Sequence, residues 1–219
     1  MSYKEINMDE YPRRAHFDYF RSLAYPYVGL TAEVDVSRLI RLLKSRGLPV
    51  FLPLLYCVTR AANSVPEFRQ RIRGDIIIEY DYSEASYTLA LENGLYCYCS
   101  PKSRLPFQDF LSHAREAERR AAEAPSIAED EAEVESLLFI SCIPWISQTA
   151  LVQPVPFPAD SNPRITWGKY LERGGRLYLP LSLLCHHALI DGLHIASFYS
   201  ALDTEITRLC DEIEADRAI

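Results

Sequence analysis

The chain has 219 residues, of which 48% are hydrophobic and 24% charged, and this is enough for one globular domain with its own core. A formal net charge of −7 argues against nucleic acid as a partner, because proteins that bind it usually carry a basic stripe. No stretch has the roughly 20 consecutive apolar residues of a membrane span, and the first ten residues lack an apolar signal-peptide core. We therefore expect one cytoplasmic domain over residues 1–219.

The first elements predicted in chain order are a short helix over 11–20, started by Pro12, and a strand over 28–36. Residues 36–47 carry apolar side chains at helical spacing between Ser37 and Gly47, which predicts a second helix. A third helix is predicted over 51–64. It is apolar on all sides, which indicates burial, and it stops before Pro66.

Three short strands are predicted between residues 75 and 100, at 76–78, 86–91 and 95–99. The dipeptide Asn93-Gly94 predicts a hairpin between the last two. An amphipathic helix follows over 106–123, and the acidic stretch after it, up to Glu135, is interpreted as solvated surface. The apolar face of that helix is expected to consist of Phe107, Phe110, Leu111, Ala114 and Ala117.

Two strongly apolar strands, at 137–143 and 176–186, are predicted to form the centre of a sheet. Between them, residues 152–163 carry four prolines and are expected to form a loop. The last element is an amphipathic helix over 193–214. Its inward-facing residues are expected to be Ala196, Tyr199, Leu202, Ile206, Leu209 and Ile213.

The six cysteines indicate packing in a reducing compartment rather than a disulfide framework. Four occur singly within apolar or helical runs: Cys57, Cys142, Cys185 and Cys210. Cys97 and Cys99 alternate along a strand-like run and so share one face, and no second cysteine pair is present to complete a zinc site. Strand packing is the favoured interpretation of these two.

Two adjacent histidines, His186 and His187, follow the strand predicted over 176–186, and Asp191-Gly192 precedes the last helix. Successive strand residues point to opposite faces, so only one histidine is expected to face a cleft. Histidine can act as a general base near neutral pH, and an aspartate four residues further on can brace the backbone. Taken alone, the pattern is more typical of structural histidines and an ordinary turn.

A metal site is disfavoured at this position. The available ligands would be His186, His187, Asp191 and His194, but adjacent histidines diverge on a strand and the spacing matches no standard ligand pattern. We therefore expect no metal.

The segment His186-His187-Ala188-Leu189-Ile190-Asp191-Gly192 resembles the active-site signature of the chloramphenicol acetyltransferases and the related dihydrolipoyl acyltransferases. Residues 11–17, with an aromatic residue, an arginine and a histidine-phenylalanine pair, are similar to the N-terminal pattern of the chloramphenicol acetyltransferase family. Residues 66–69, 141–145 and 165–170 echo further family blocks in the right order, so the resemblance covers nearly the whole chain. It implies an α/β fold: a single-domain two-layer sandwich with a mixed β-sheet covered by helices.

The resemblance also implies residue roles. His187 is expected to take the proton from an acceptor hydroxyl as this attacks the thioester of acetyl-CoA, the cosubstrate, without an acyl-enzyme. Ser141 is implied to stabilise the oxyanion and Thr166 to hold a water molecule near it. Asp191 and Arg13 are implied to form a structural ion pair, for which a bidentate geometry is expected.

Two further implications concern coenzyme A and assembly. Trp145 and Tyr170 match residues that line the coenzyme A tunnel, and the family forms homotrimers with active sites at subunit interfaces. Each assignment has a plainer alternative: Ser141 as a small residue on a buried strand, Thr166 as a β-former, and Trp145 and Tyr170 as core aromatics. Arg13 could likewise be a surface charge.

The acceptor side departs from the family pattern at residues 19–27 and 146–158, so acetyl transfer to a small hydroxyl compound is better supported than chloramphenicol as the acceptor. Two other hypotheses stay open. One is a stand-alone relative of the dihydrolipoyl acyltransferase core, against which we find no lipoyl domain or flexible linker. The other is a catalytically silent trimer that binds a small ligand, against which His187, Asp191, Ser141 and Thr166 are retained together.

Overall fold

The computed structural model describes residues 1–216, so the last three residues of the domain expected over 1–219 lie outside the described part. Five α-helices form in the described part: α1 (Arg14–Arg21), α2 (Ser37–Ser45), α3 (Phe51–Ser64), α4 (Phe107–Glu123) and α5 (Gly192–Ala215). The strands of the described part are β1 (Tyr3–Glu5), β2 (Tyr27–Asp35), β3 (Gln70–Arg73), β4 (Ile76–Tyr80), β5 (Ala85–Ala90), β6 (Tyr96–Cys99), β7 (Leu138–Ile143), β8 (Arg164–Gly168), β9 (Leu171–Arg173) and β10 (Arg176–His186).

The larger sheet has the strand order β2-β10-β8-β7-β5-β6, and β9 pairs with β10 beside this path. Strand β7 runs parallel to β5 and β8, whereas β10 is antiparallel to its neighbours. The mixed sheet expected from the sequence is therefore confirmed. The two apolar strands expected at its centre are β7 and β10, but β8, which the sequence analysis did not predict, lies between them.

The helices cover one face of this sheet. Along β10, Leu179, Leu181, Leu183 and Cys185 belong to the hydrophobic core that helices α2, α3 and α5 complete. The alternation of a strand then turns Ser182 and His186 towards the opposite face. Helix α3 is buried over most of its length, as its all-round apolar sequence predicts.

The predicted elements are mostly in place, with shifts of one to three residues at their ends. The hairpin of β5 and β6 is confirmed, and Gly94 has the positive φ of 81° that its turn requires. One prediction for α5 was wrong, because Ala196 is exposed and Ile195 and Phe198 are buried instead. Residues 152–163 contain no helix or strand, as their prolines predict. In residues 1–216, no helix is long and apolar enough to cross a membrane.

Two glutamates contradict the expectation that the acidic stretch up to Glu135 is solvated surface. Glu135 pairs with Arg73 and accepts a hydrogen bond of 2.8 Å from the Tyr80 hydroxyl. Glu129 is half-buried and accepts a hydrogen bond from the Ser86 hydroxyl. Both contacts are made because the chain returns towards the strands before it enters β7.

A smaller sheet, in the order β1-β4-β3, is connected to the larger one by Arg71 of β3. This side chain is fully buried. Its guanidinium donates hydrogen bonds of 2.6–3.0 Å to the carbonyl oxygens of Phe68, Gln70, Glu135 and Leu137. Burial lowers the pKa of Arg71 to about 10, so the group keeps its charge at neutral pH and the carbonyl dipoles solvate it.

Candidate active site

His187 lies immediately after β10, half-buried, with its imidazole held on two sides. Its Nδ1 is 2.9 Å from the carbonyl oxygen of Ile190, and the ring of Phe20 stacks on it with centroids 3.8 Å apart. The backbone N–H of His187 also donates to the carbonyl of Pro26 at 2.7 Å. A carbonyl oxygen can only accept, so the neutral ring carries its proton on Nδ1 and its free lone pair on Nε2.

His186 occupies a different environment. It is buried on the sheet face away from the helices, edge-on to the ring of Tyr27, and its Nδ1 lies 3.3 Å from the backbone N–H of Ala188. Burial lowers the pKa of His186 to about 4, an effect that outweighs the attraction of Asp160. His186 is therefore neutral at physiological pH and has the environment of a packing residue.

Asp191 and Arg13 lie together, with 3.2 Å between Oδ2 and Nη2. The contact is single and not the bidentate fork that the sequence analysis expected, because Nη1 of Arg13 donates to the carbonyl of Leu189 instead. Burial alone would raise the pKa of Asp191, but the charge of Arg13 and the nearby His194 and backbone N–H groups lower it. One guanidinium thus holds the carboxylate ionised and also holds the backbone that follows His187.

His194 also belongs to this cluster, with a role that was not predicted from the sequence. Asp191 caps α5 by accepting from the backbone N–H of Leu193 at 3.0 Å, and its own N–H donates to Nδ1 of His194 at 3.1 Å. Nε2 of His194 faces Glu67 Oε1 at 3.5 Å. The Asp-x-x-His spacing at the helix start was the available signal, because it places the histidine where a capping box has Glu or Gln.

A row of hydroxyl side chains crosses the larger sheet and contains the two other expected site residues. Ser182 of β10 pairs in register with Thr31 of β2 and Thr166 of β8, and Thr166 pairs with Ser141 of β7. The row continues to Thr88 of β5, whose Oγ1 is 3.4 Å from Ser141 Oγ. The structure therefore brings Ser141 and Thr166 side by side on one face of the sheet.

Ser141 and Thr166 line a cavity of about 310 Å³. Most of its other lining side chains are polar or aromatic, and they include Ser86, Thr88, Tyr98, Glu129, Gln153 and Arg164. Gln153 and Pro154 belong to the loop over residues 152–163, which therefore forms one wall of this cavity. His187 is not among the lining residues.

The two residues expected to bind coenzyme A lie at the far ends of β7 and β8. Trp145 stands in the turn after β7 and is 77% exposed. Tyr170 follows β8 and is half-buried, with Nζ of Lys44 5.6 Å from its ring centroid. The two segments are joined by a hydrogen bond of 2.8 Å from the N–H of Lys169 to the carbonyl of Ile146. Among the described residues, no group of His, Cys, Asp and Glu is arranged to hold a metal.

The chain matches the family described as chloramphenicol acetyltransferase over residues 1–203. It belongs to that family. Chloramphenicol acetyltransferase 3 of Escherichia coli is 26% identical over 204 residues, which cover 92% of this chain and 96% of that protein. The chloramphenicol acetyltransferase of Proteus mirabilis is 24% identical over 216 residues, covering 94% of each chain.

Solved structures agree with the sequence comparison. A chloramphenicol acetyltransferase superposes with a TM-score of 0.80 at 27% identity, covering 94% of this chain and 100% of that one. A probable dihydrolipoamide acetyltransferase from Listeria monocytogenes reaches a TM-score of 0.65 at 18% identity over 98% of this chain and 96% of that one, which shows a shared fold alone. The family resemblance and the α/β fold class expected from the sequence are confirmed, and the family makes this protein an acyltransferase.

Proposed function

We propose that the protein transfers the acetyl group of acetyl-CoA to a hydroxyl of chloramphenicol or a similar small molecule, by direct general-base catalysis. The observation that carries the proposal is the fixed ring of His187. The bond from Nδ1–H to the Ile190 carbonyl leaves the lone pair of Nε2 free to accept a proton. Arg13 and Asp191 act as positioning residues for the loop that contains this histidine.

The reaction proceeds in two steps with balanced proton transfer. Nε2 of His187 takes the hydroxyl proton as the alcohol oxygen bonds to the thioester carbon, and the Ser141 hydroxyl donates to the resulting oxyanion. The C–S bond then breaks, and the imidazolium returns the proton to the thiolate of coenzyme A. Thr166 holds a water molecule beside the same oxyanion. A preorganised donor of this kind contributes about 10²-fold or more to the rate.

His187 and Ser141 of one chain are too far apart to act on one carbonyl carbon. Ser182, which is in register with the Thr166–Ser141 pair, lies five residues before His187 on β10. At about 3.3 Å per residue, and about 4.8 Å per strand, the separation is roughly 19 Å. We therefore propose a homotrimer in which His187 of one subunit meets Ser141 and Thr166 of the next.

Trp145 and Tyr170 are proposed to contact coenzyme A. The exposure of the indole and the cation of Lys44 above the Tyr170 ring support this assignment, because the cofactor carries both an adenine ring and phosphates.

All six cysteines are free thiols, which suits the reducing cytoplasm that we propose as the location. With chloramphenicol as the acceptor, expression in a sensitive bacterium would raise the inhibitory concentration of the drug.

Release of free thiol from acetyl-CoA, measured with a panel of acceptor alcohols and with dihydrolipoamide, separates the candidate functions. We expect release only when an alcohol is present. Release with the dithiol alone would favour the dihydrolipoyl acyltransferase alternative. Ligand binding without thiol release from any acceptor would favour the silent trimer and overturn the proposal.

A complementation experiment tests the shared site. His187→Ala and Ser141→Ala chains are each expected to be nearly inactive, but co-expression forms mixed trimers in which intact His187 faces intact Ser141. With random assembly into a closed ring, about a quarter of the sites recover. A site contained within one chain would recover nothing on mixing, and that result would refute the proposed arrangement. His187→Ala chains expressed alone under the same conditions are the control.

A further inference from the structure

The cavity beside Ser141 and Thr166 contains two charged side chains, and their surroundings differ. Arg164 is paired with both carboxylate oxygens of Asp160 at 2.8 Å, so its charge is neutralised within the fold. In the described part of the chain, the hydroxyl of Ser86 is the one group that donates a hydrogen bond to the carboxylate of Glu129. In residues 1–216, no Lys, Arg or His lies within ion-pairing distance of its carboxylate.

The environment of Glu129 raises the free energy of its ionised carboxylate unless a cation lies beside it. It is half-buried against the cavity wall, where desolvation raises its pKa; the hydrogen bond from Ser86 opposes this rise, and the charge of Glu133 adds to it. A carboxylate withdrawn from water is stabilised by a positive partner far more strongly than an exposed one. Because Glu129 lines the cavity, a molecule that occupies the cavity can supply that partner.

The register of β5 sets the distance from Glu129 to the reacting atoms. Ser86, which binds Glu129, and Thr88, whose hydroxyl is 3.4 Å from that of Ser141, are two residues apart on one strand. Side chains two residues apart share a face and are separated by about 7 Å. The carboxylate of Glu129, bound at Ser86, therefore lies roughly one strand repeat along β5 from Thr88 and its neighbour Ser141. An acceptor hydroxyl that attacks the carbonyl held by Ser141 lies at a similar distance.

We propose that Glu129 determines the acceptor, selecting alcohols that carry a cationic nitrogen about 7 Å from the reacting hydroxyl. This inference rests on the proposed acetyl transfer and holds that, among small alcohols, cationic amino alcohols are better acceptors than neutral ones such as chloramphenicol. Ser86 holds the carboxylate in place, and the nearby hydroxyls of Thr88 and Tyr98 make the cavity polar enough to admit a charged group.

The test uses two alcohols of the same shape. One is a five-carbon primary alcohol that ends in trimethylammonium, whose nitrogen cannot be acetylated, and the other is its neutral tert-butyl isostere. We expect kcat/KM to be about tenfold higher for the cation, which corresponds to about 1.4 kcal/mol. Glu129→Gln abolishes this preference by lowering kcat/KM for the cation only. In a series of chain lengths, the preference is largest near five carbons and declines for shorter ones.

Glu131→Gln is the matched control, because it removes the same charge from an exposed side chain that lies two residues from Glu129. It is expected to leave the preference unchanged. Equal rates for the two isosteres in the wild type, or an equal loss on both in Glu129→Gln, would overturn the proposal, as would dissociation of the oligomer in that variant. Transfer to chloramphenicol with no preference for the cation refutes this inference alone, whereas no transfer to any alcohol refutes the proposed function.

Discussion

Asp191→Asn is the most selective change to the loop that follows His187, because it removes one charge and little else. Asparagine caps helices as well as aspartate does, so the bond from the N–H of Leu193 can persist while the ionic contact with Arg13 is lost. The side chains of Arg13 and Asp191 are 17% and 36% exposed, so water screens part of their attraction. We therefore expect a loss of about 1.5 kcal/mol in the free energy of unfolding, a value between those typical of surface and of buried ion pairs.

The dependence on pH follows from the lowered pKa of Asp191. A carboxyl group whose pKa is lower in the folded state contributes stability above its unfolded value of about 3.9 and loses it as the pH falls through the folded value. The difference between wild type and Asp191→Asn is thus expected to be full at neutral pH and to shrink below about pH 4. Urea unfolding at a fixed protein concentration measures it at each pH.

A double-mutant cycle gives the decisive result. Arg13→Ala is expected to be more damaging than Asp191→Asn, because it also removes the donor to the Leu189 carbonyl. The double variant is expected to lose clearly less than the sum of the two single losses, with a coupling of about 1 kcal/mol, and Arg13→Lys to restore only part. Additive losses, or a difference that does not change with pH, would refute the ion pair as the source of the effect.

Three other changes give distinct outcomes. His187→Ala abolishes acetyl transfer but leaves coenzyme A binding by calorimetry intact, whereas an inactive His186→Ala with an active His187→Ala would reverse the assignment. Ser141→Ala lowers kcat about 10²-fold in steady-state assays, and an unchanged kcat would remove the hydroxyl from the mechanism. Gly168→Ala places a Cβ 2.6 Å from a carbonyl oxygen of the turn after β7, so it lowers the melting temperature and disturbs coenzyme A binding. Gly29→Ala, with nearest atoms at 3.4 Å, serves as its control and is tolerated.

Local patterns in the sequence predicted the long elements well. Strand β10 and helix α3 were placed with the bounds that the structure shows, because an apolar run or an apolar helix ending before Pro66 carries enough signal on its own. The short strands β1 and β9 were missed, since three exposed residues show no alternation. Pairing with β4 and β10 creates these two strands, and such pairing is a property of the fold.

The active-site cluster shows the limit of local reasoning more clearly. Arg13 and Asp191 lie near opposite ends of the chain, and only the family resemblance suggested that they meet. Arg13 makes a single contact with Asp191 rather than a bidentate pair, because the Leu189 carbonyl accepts a hydrogen bond from the same guanidinium. Glu129 was misjudged for a similar reason: an acidic stretch is usually solvated, and its burial depends on how the chain returns to Ser86.

The guanidinium of Arg71 has a consequence for how the molecule unfolds. Among residues 1–216, the smaller sheet shares no strand with the larger one, yet Arg71 of β3 binds carbonyl groups at the entrance to β7. Opening either sheet alone would leave this charge or its carbonyl partners unsatisfied, so local fraying of β3 is penalised. Backbone amides of β3 and β4 are therefore expected to exchange with deuterium through the same global opening as those of β7, so that the two sheets form one cooperative unit.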